Sequence, residues 1–591
     1  MCGIAGLIRA DGRPVNRDRL VGMSEAIVHR GPDAEGMWIE GGCGLAHRRL
    51  AIVDLSPTGA QPMRSGDGRY VVTFNGEIYN YKELRHELES AGIVLRSTSD
   101  TEILVELYAR YGEAMLGRLR GMFAFAIWDT QSRVLFFARD RIGKKPFYYS
   151  LLNDEFAFAS ELPAFFALSK VTPDWDAIGL FLGLQYIPSP YTGFEGIVSL
   201  SPGNCGTWSE GRITIRPYVE SPLPPFSGTF NEAVTETRRL LDEAVRYRMI
   251  ADVPVGCFLS GGIDSSAIAA LMARHSFSPI KTFTMGFPDW KADERDEAAT
   301  FAKQIGAEHY SFEAKAEDAV ALVDRLVDLY AAPYADSSCL PTYLLAQATS
   351  KHVKAVMNGD GGDEAFMGYK RYAYFAQAKR FRALGHIPGL SALSFGNPKV
   401  KRMLRTMAAL SEGEAAGYAE MFMGSYFSEL DLPSSTAKKF IIEHMPDFDR
   451  RSYLPDDLCV KMDRATMAHG VEARSPLLDQ ELVRFAASLP LEWHRKGGKQ
   501  KAVLQAAVAE FVPESVLNRP KRGFQIPLGA WFRGPLKPLF EQRCLVSGSK
   551  LERVCPQAIV QKYFDEHQRG RDHGNRLWML LTLATWLEKH A

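Results

Sequence analysis

The sequence predicts an α+β domain of layered sheets, followed by an α/β domain with a parallel sheet and a helical C-terminal part. Three observations predict this. The first two hundred residues alternate short apolar runs with turn residues. A Pro-dense stretch, Ser221-Pro-Leu-Pro-Pro-Phe-Ser-Gly228, interrupts the chain. After it, strand and helix patterns alternate, which is the grammar of βαβ units. The boundaries follow as residues 2–220, a linker over 221–230 and a second domain over 231–591.

In the first domain, Cys2–Ile8, Tyr70–Phe74, Phe123–Trp128 and Val134–Ala138 are apolar runs bounded by Gly, Asp or Asn and read as strands. Tyr81–Ala91 and Thr101–Tyr111 read as helices. In the second, Asn231 is the expected cap of a helix with Ala233, Leu240, Leu241, Ala244 and Val245 on its apolar face. Strand Val253–Leu259, a helix over Ser265–Arg274, strand Lys281–Phe287, helix Asp296–Ile305, strand His309–Phe312 and strand Val353–Met357 continue the alternation. From about Pro446 the chain reads as helical.

Composition narrows the function classes. With 591 residues the chain is long enough for two to four domains of about 150 residues each. Lys and Arg number 70 against 70 Asp and Glu, so there is no electrostatic reason to bind nucleic acid or an anionic membrane. No apolar run reaches transmembrane length. The start, Met-Cys-Gly-Ile-Ala-Gly, lacks the basic and apolar segments of a secretory leader. Eight Cys with no CxxC pair form neither a disulfide framework nor a zinc ribbon. The expectation is a cytoplasmic protein in a reducing compartment.

Ser260-Gly-Gly-Ile-Asp-Ser-Ser266 lies between a predicted strand and a predicted helix. Unpaired N–H groups at a helix start, together with the helix dipole, favour an anion there. Gly261 and Gly262 let the backbone approach a phosphate, and no Lys is present, so this is not the mononucleotide P-loop. Asn358-Gly-Asp-Gly-Gly-Asp-Glu364 follows strand Val353–Met357 and should lie on the same carboxyl edge of the sheet, where ligands bind. Asp264 and Asp363 are a pair suited to Mg²⁺ with phosphate oxygens. The bland readings are a Gly-rich connection and an acidic surface turn; two such turns on one edge favour a nucleotide.

These two clusters resemble the PP-loop domain of glutamine-dependent asparagine synthetases. The resemblance implies that Leu259, Ser260, Gly261, Gly262, Asp264, Ser265 and Ser266 hold the phosphates of ATP and Mg²⁺. It also implies that Met285 and Gly286 touch the adenosine, that Asn358 and Gly359 complete the ATP site, and that Asp363 shares the metal. Leu458–Met467, Glu472–Asp479 and Lys521–Pro527 resemble further segments of that family. Lys501 corresponds to a Lys facing the ATP phosphates, where a compact cation would stabilise the departing pyrophosphate.

Cys2 alone is weak evidence, since a Cys in an apolar strand is usually a buried hydrophobe. With Met1 removed, however, its own α-amine could serve as base for its thiol. Cys2–Gly6, His29–Asp33, Arg48–Val53, Asn75–Glu77, Ser99–Glu102 and Asp140–Pro146 resemble class II glutamine amidotransferases, so an αββα N-terminal-nucleophile fold is implied for the first domain. By that resemblance Cys2 attacks the glutamine amide and Asn75 and Gly76 form the oxyanion hole. Arg49 clamps the glutamine carboxylate, Asp100 pairs with its ammonium, and Ile52, Val53 and Glu77 complete the pocket. His29 is expected to be structural. Asn75-Gly76 also fits a type I′ hairpin turn after Tyr70–Phe74.

Two departures bear on the acceptor. Asp360 stands where asparagine synthetases often have Glu, setting a catalytic carboxylate back by one methylene. Ala331-Ala332-Pro333 replaces Asp-Glu-Pro, removing two charges near the expected acceptor pocket. The resemblance thus implies a ligase of asparagine biosynthesis that uses glutamine, ATP with Mg²⁺ and a small carboxylate acceptor, with a homodimer as the candidate assembly. Aspartate is the first acceptor; a sugar uronate or a peptide or natural-product acid is the alternative. A ring-forming enzyme like β-lactam synthetases and a non-catalytic scaffold on the same fold are the other readings.

Overall fold

The computed structural model describes residues 2–152, 155–219, 222–288, 293–387, 398–423, 431–443, 447–519 and 526–591. Among them, twelve strands build the first domain: β1 (Gly3–Arg9), β2 (Ala34–Glu40), β3 (Cys43–Arg49), β4 (Met63–Arg64), β5 (Tyr70–Ile78), β6 (Gly121–Asp129), β7 (Val134–Arg139), β8 (Tyr148–Leu152), β9 (Glu155–Ala159), β10 (Ile197–Ser199), β11 (Asn204–Ser209) and β12 (Arg212–Pro217). They form two six-stranded sheets, ordered β10-β8-β9-β1-β3-β2 and β12-β11-β7-β6-β5-β4. Every pairing within these two sheets is antiparallel.

Between the sheets lies an aromatic layer in which Phe137 stacks on Phe147 at 5.2 Å and Phe147 on Phe158 at 5.3 Å. Alternation explains it: β6 and β7 send one set of residues to this layer (Ala124, Ala126, Trp128; Leu135, Phe137) and the other set (Phe123, Phe125, Ile127; Phe136) to a second core. That second core packs helices Tyr81–Ser90 and Asp100–Tyr111 on the outer face of the sheet. The layering expected from the resemblance is present.

The second domain has the expected parallel sheet: β13 (Val255–Phe258), β14 (Lys281–Gly286), β15 (Glu308–Glu313), β16 (Ala355–Met357) and β17 (Glu472–Arg474), in the order β15-β14-β13-β16-β17. β17 is a strand that the mainly helical reading of the C-terminal part does not place. Its three residues are too few, and two of them too polar, to carry a strand pattern; they pair only because β16 offers an open edge.

Two further expectations are corrected. The cap of helix Phe230–Arg248 is Thr229, not Asn231: Thr229 and Glu232 form a reciprocal capping box. And Asn75-Gly76 is no hairpin turn, because both residues lie inside β5, opposite Ala124 and Phe123 of β6. Asn-Gly is a strong turn signal only where the chain reverses, and here the strand continues to Ile78. Within the Pro-rich stretch, Phe226 docks on the second domain, edge-on to Phe485 at 5.3 Å.

Candidate active sites and the family of the chain

β1 begins directly after Cys2 and places it at the end of the sheet, where the side chain is nearly buried. The Cys2 N–H donates to Asn75 Oδ1 at 3.0 Å, and the Cys2 carbonyl accepts from Arg30 Nε at 3.1 Å. Burial raises the thiol pKa, with Glu472 and Glu77 adding to the rise, so the resting thiol keeps its proton and needs a base. Asn75 Nδ2 is buried with no hydrogen-bond partner. A buried amide donor left open beside the nucleophile is what an oxyanion hole requires.

The register sets where the Gly76 N–H points. The Tyr79 N–H bonds the Arg120 carbonyl on the β6 side, whereas the Ile78 N–H turns away and donates to Asp100 Oδ2 at 2.9 Å. Antiparallel alternation puts the Gly76 N–H on the Ile78 side, facing away from β6. A Cβ at Gly76 would lie 2.1 Å from the Met122 carbonyl oxygen, so only glycine fits.

The other residues expected in the glutamine pocket have engagements the sequence did not disclose. Arg49 donates through Nη1 to the Ser56 carbonyl at 2.9 Å and through Nη2 to the Asp54 carbonyl, shaping the loop after Val53. The Ile52 carbonyl accepts from the Asp252 N–H of the second domain at 2.9 Å. Asp100 opens helix Asp100–Tyr111, and burial lifts its pKa to about 6. Glu77 is raised well above its usual range, first by burial and then by Glu472, and its Oε1 lies 3.4 Å from Arg474 Nη2 on β17. His29 bonds Glu161 at 3.0 Å, the structural role expected of it.

The second site forms at the carboxyl edge of the parallel sheet. Gly261 takes a left-handed φ of +70°, Gly262 caps helix Ile263–His275, and Ser265 Oγ receives the Ser260 N–H at 3.2 Å. The two clusters meet closely. A Cβ on Gly359 would stand 2.9 Å from Ser265 N, and one on Gly362 would stand 2.5 Å from Asp264 Oδ1. Leu259 is held by its N–H to the Phe283 carbonyl, and β14 ends in Met285 and Gly286 beside the loop.

Lys501 closes this cradle. It sits at the start of helix Ala502–Val508 with φ +53° and is buried. Its Nζ lies 2.5 Å from Asp264 Oδ2 and 2.7 Å from Asp363 Oδ1. Burial would lower its pKa, but the two carboxylates outweigh that and raise it, so the ammonium is permanent. Two hard carboxylate oxygens beside a phosphate-sized loop fit Mg²⁺ once phosphate oxygens complete the shell. Among the described residues no group of three or more His, Cys, Asp or Glu could hold a metal by itself.

Behind the cradle lies a set of charges of which only Asp360 was singled out from the sequence as a site residue. Asp360 bonds Asn358 Nδ2 at 3.0 Å, and burial raises its pKa. Lys461 Nζ bridges Asp336 Oδ2 and Ser338 Oγ, both at 2.9 Å. Asp457 accepts from the Tyr334 hydroxyl at 2.6 Å and is pushed up to about 8, by burial first and then by Asp336. Glu364 is pushed up to about 7 by burial and by Asp363. Lys144, from the first domain, is buried, its Nζ has no partner, and burial drops its pKa to about 7. Lys461 and Glu364 stand in segments already noted in the sequence; Asp457 carried no signal. Ala331, one of the two positions lacking a charge, has its carbonyl bonded to Trp586 of the C-terminal helix at 2.6 Å. Residues 520–525, which include most of the Lys521–Pro527 segment, lie outside the described residues.

Fold and sites together define a class: an N-terminal-nucleophile glutamine amidotransferase joined to a nucleotide-dependent synthetase. Residues 1–219 match the glutamine amidotransferase domain model and residues 236–588 the asparagine synthase model. The chain belongs to the asparagine synthase family and is a ligase of glutamine-hydrolysing type. It is 31% identical to asparagine synthetase [glutamine-hydrolyzing] 1 of Bacillus subtilis over 99% of this chain and 96% of that protein. It is 29% identical to asparagine synthetase [glutamine-hydrolyzing] 3 of the same organism, over 88% and 86%. It is also 30% identical to amidase chry2 of Gibberella zeae, over 94% and 93%. Among the described residues no helix is long and apolar enough to cross a membrane.

Proposed function

We propose that the protein amidates a carboxylate with nitrogen from glutamine, forming AMP and pyrophosphate from ATP. Residues 2–220 are the glutaminase, 221–230 the connection and 231–591 the synthetase. Cys2 Sγ attacks the glutamine amide carbon while Asn75 Nδ2 and the Gly76 N–H receive the oxyanion; ammonia leaves and water releases glutamate from the thioester. At the second site the acceptor carboxylate attacks the α-phosphorus of ATP. Pyrophosphate departs against Lys501, and ammonia then displaces AMP from the acyl-adenylate. Mg²⁺ held by Asp264 and Asp363 would neutralise phosphate charge. The raised pKa of Asp360 suits it to take the proton that ammonia loses.

The observation that carries this reading is the Lys501 bridge: a buried ammonium spanning two carboxylates over a glycine-rich loop, in a chain whose first strand starts directly after Cys2. Aspartate is the first acceptor, giving asparagine. A different carboxylate is favoured by Asp360 in place of Glu and by the similarity to an amidase. AMP release measured over aspartate, uronates and peptide acids, with ammonia as donor, separates the two; no aspartate-dependent AMP sinks the asparagine assignment. Cys2→Ala is expected to abolish glutamine-driven product and to leave ammonia-driven product intact; retention of glutamine-driven product would overturn Cys2 as the nucleophile, and no product from either donor in the wild type would favour a scaffold.

A further inference from the structure

Helix Val460–Met467 of the second domain reaches towards both sites. Lys461 points into the synthetase site, on Asp336 and Ser338. Asp463 lies two residues on, about 200° around the helix at about 100° per residue, and so faces the other way. There it takes Arg30 in a two-pronged grip, with Nη1 at 2.7 Å and Nη2 at 3.1 Å. Arg30 Nε in turn donates to the Cys2 carbonyl at 3.1 Å.

The grip is braced. Arg30 Nη1 also bonds Glu161 at 2.6 Å, Arg464 lies 2.5 Å from Glu161, and Lys145 lies 3.6 Å from Asp463. Arg30, Glu161, Asp463, Arg464 and Lys145 are each 4% exposed or less. A forked guanidinium–carboxylate pair fixes direction as well as distance, and in a dry interior neither partner has water as a substitute. Of the groups that hold the main chain of the nucleophile, the outermost belongs to the other domain, far along the chain.

We propose that Asp463 is a positioning residue for the glutaminase nucleophile: through Arg30 it sets the main chain of Cys2, so the glutaminase site is complete only with the synthetase domain docked. This rests on Cys2 being the nucleophile. The two ideas are separable, because the deciding readout needs no glutamine turnover.

The test is full-length Asp463→Asn with Asp463→Glu beside it. Each is scored for Cys2 alkylation by iodoacetamide (read by peptide mass spectrometry), glutamate release from L-glutamine, and MgATP binding. In Asp463→Asn, Cys2 should alkylate at least threefold faster while the other seven Cys are unchanged. Turnover of glutamine should slow by one to two orders of magnitude with KM within threefold, and MgATP affinity should hold within twofold. Asp463→Glu should recover at least part of the turnover. Cys2 alkylation and glutamine turnover both within twofold of wild type would overturn the proposal. So would a joint loss of MgATP binding and glutamate release in both variants, since Asp463 would then serve only the fold. If wild type releases no glutamate yet Cys2 alkylation still responds selectively, positioning stands and the glutaminase reading fails.

Discussion

Lys501→Met removes a side chain that bridges Asp264 and Asp363 while keeping most of its volume. Its ammonium lies 2.5 and 2.7 Å from the two carboxylates, where phosphates would enter. On the proposed reading a Mg²⁺ brought with ATP would be held by those carboxylates instead, so ATP binding should survive and KM for ATP should shift by less than about tenfold. The loss falls on the step in which charge builds on the leaving pyrophosphate. A preorganised group aimed at developing charge is worth about 3–4 kcal/mol in a site that excludes water. At about 1.4 kcal/mol per decade, turnover should slow by about two to three orders of magnitude. The assay is pyrophosphate release with ammonia as donor, so the glutaminase is not involved, and glutamate release from glutamine is followed in parallel. Pyrophosphate release within tenfold of wild type would refute the role of Lys501. So would an equal loss of both activities, which would mean that the variant had damaged the fold; breaking a buried ion pair on one side costs about 3–5 kcal/mol of stability, so a melting curve accompanies the assay.

Asn75→Ala removes both the anchor of the Cys2 N–H and the open Nδ2 donor, and should slow glutamate release by about two to three orders of magnitude while ammonia-driven AMP formation stays within twofold. On the proposed pairing with the glutamine ammonium Asp100 has to be ionised, and burial raises its pKa to about 6, so KM for glutamine should rise about tenfold per pH unit below pH 6. Steady-state kinetics between pH 5 and 8 test this, and Asp100→Asn should show a high KM without the slope. Asp457, at about 8 in the folded protein against 3.8 for an ordinary Asp, keeps a proton that the unfolded chain releases. Its stabilising share is therefore present below about pH 4 and is lost as the pH rises through 8. Melting temperatures from pH 5 to 9 should fall, and Asp457→Asn should make the fall shallower.

What the sequence disclosed and what it hid divide along physical lines. The strand Phe123–Trp128 was legible because both of its faces are buried, which leaves an unbroken apolar run, and the helix Tyr81–Ser90 because it buries one face (Tyr81, Leu84, Leu88), which writes a period of 3.6 into the residues. The glycine clusters were legible because a close approach of backbone to backbone tolerates no side chain, as Gly359 against Ser265 shows. Asn75-Gly76 was misread because the same dipeptide serves two demands, a left-handed turn or a donor pair inside a strand. Only the pairing of β5 with β6 decides between them. β17 was hidden because three residues carry no period, and Thr229 because a cap two residues earlier fits the same apolar face.

The charges between the domains are the deeper omission. A buried Asp463 or Glu472 in the sequence is one acid among 70 acidic residues, and nothing local marks it. Burying such groups is costly unless each finds a partner with good geometry, and the partners come from far away in the chain. Arg120 and Arg248 converge on Asp479, Arg474 lies between Glu77 and Glu472, and Arg30 takes Asp463. Hydrophobic surface also joins the domains, with Leu50, Ile52, Tyr79 and Met122 packing against Ala355 and Met467, but it does not fix direction. Forked pairs of this kind hold one domain in a single register against the other. That register matters here, because the residues they hold (Glu77 in the glutamine pocket, Cys2 through Arg30) belong to the glutaminase site itself. The interface charges are best understood as part of that site's construction, which is why the domain carrying the nucleophile depends on residues that its own sequence does not contain.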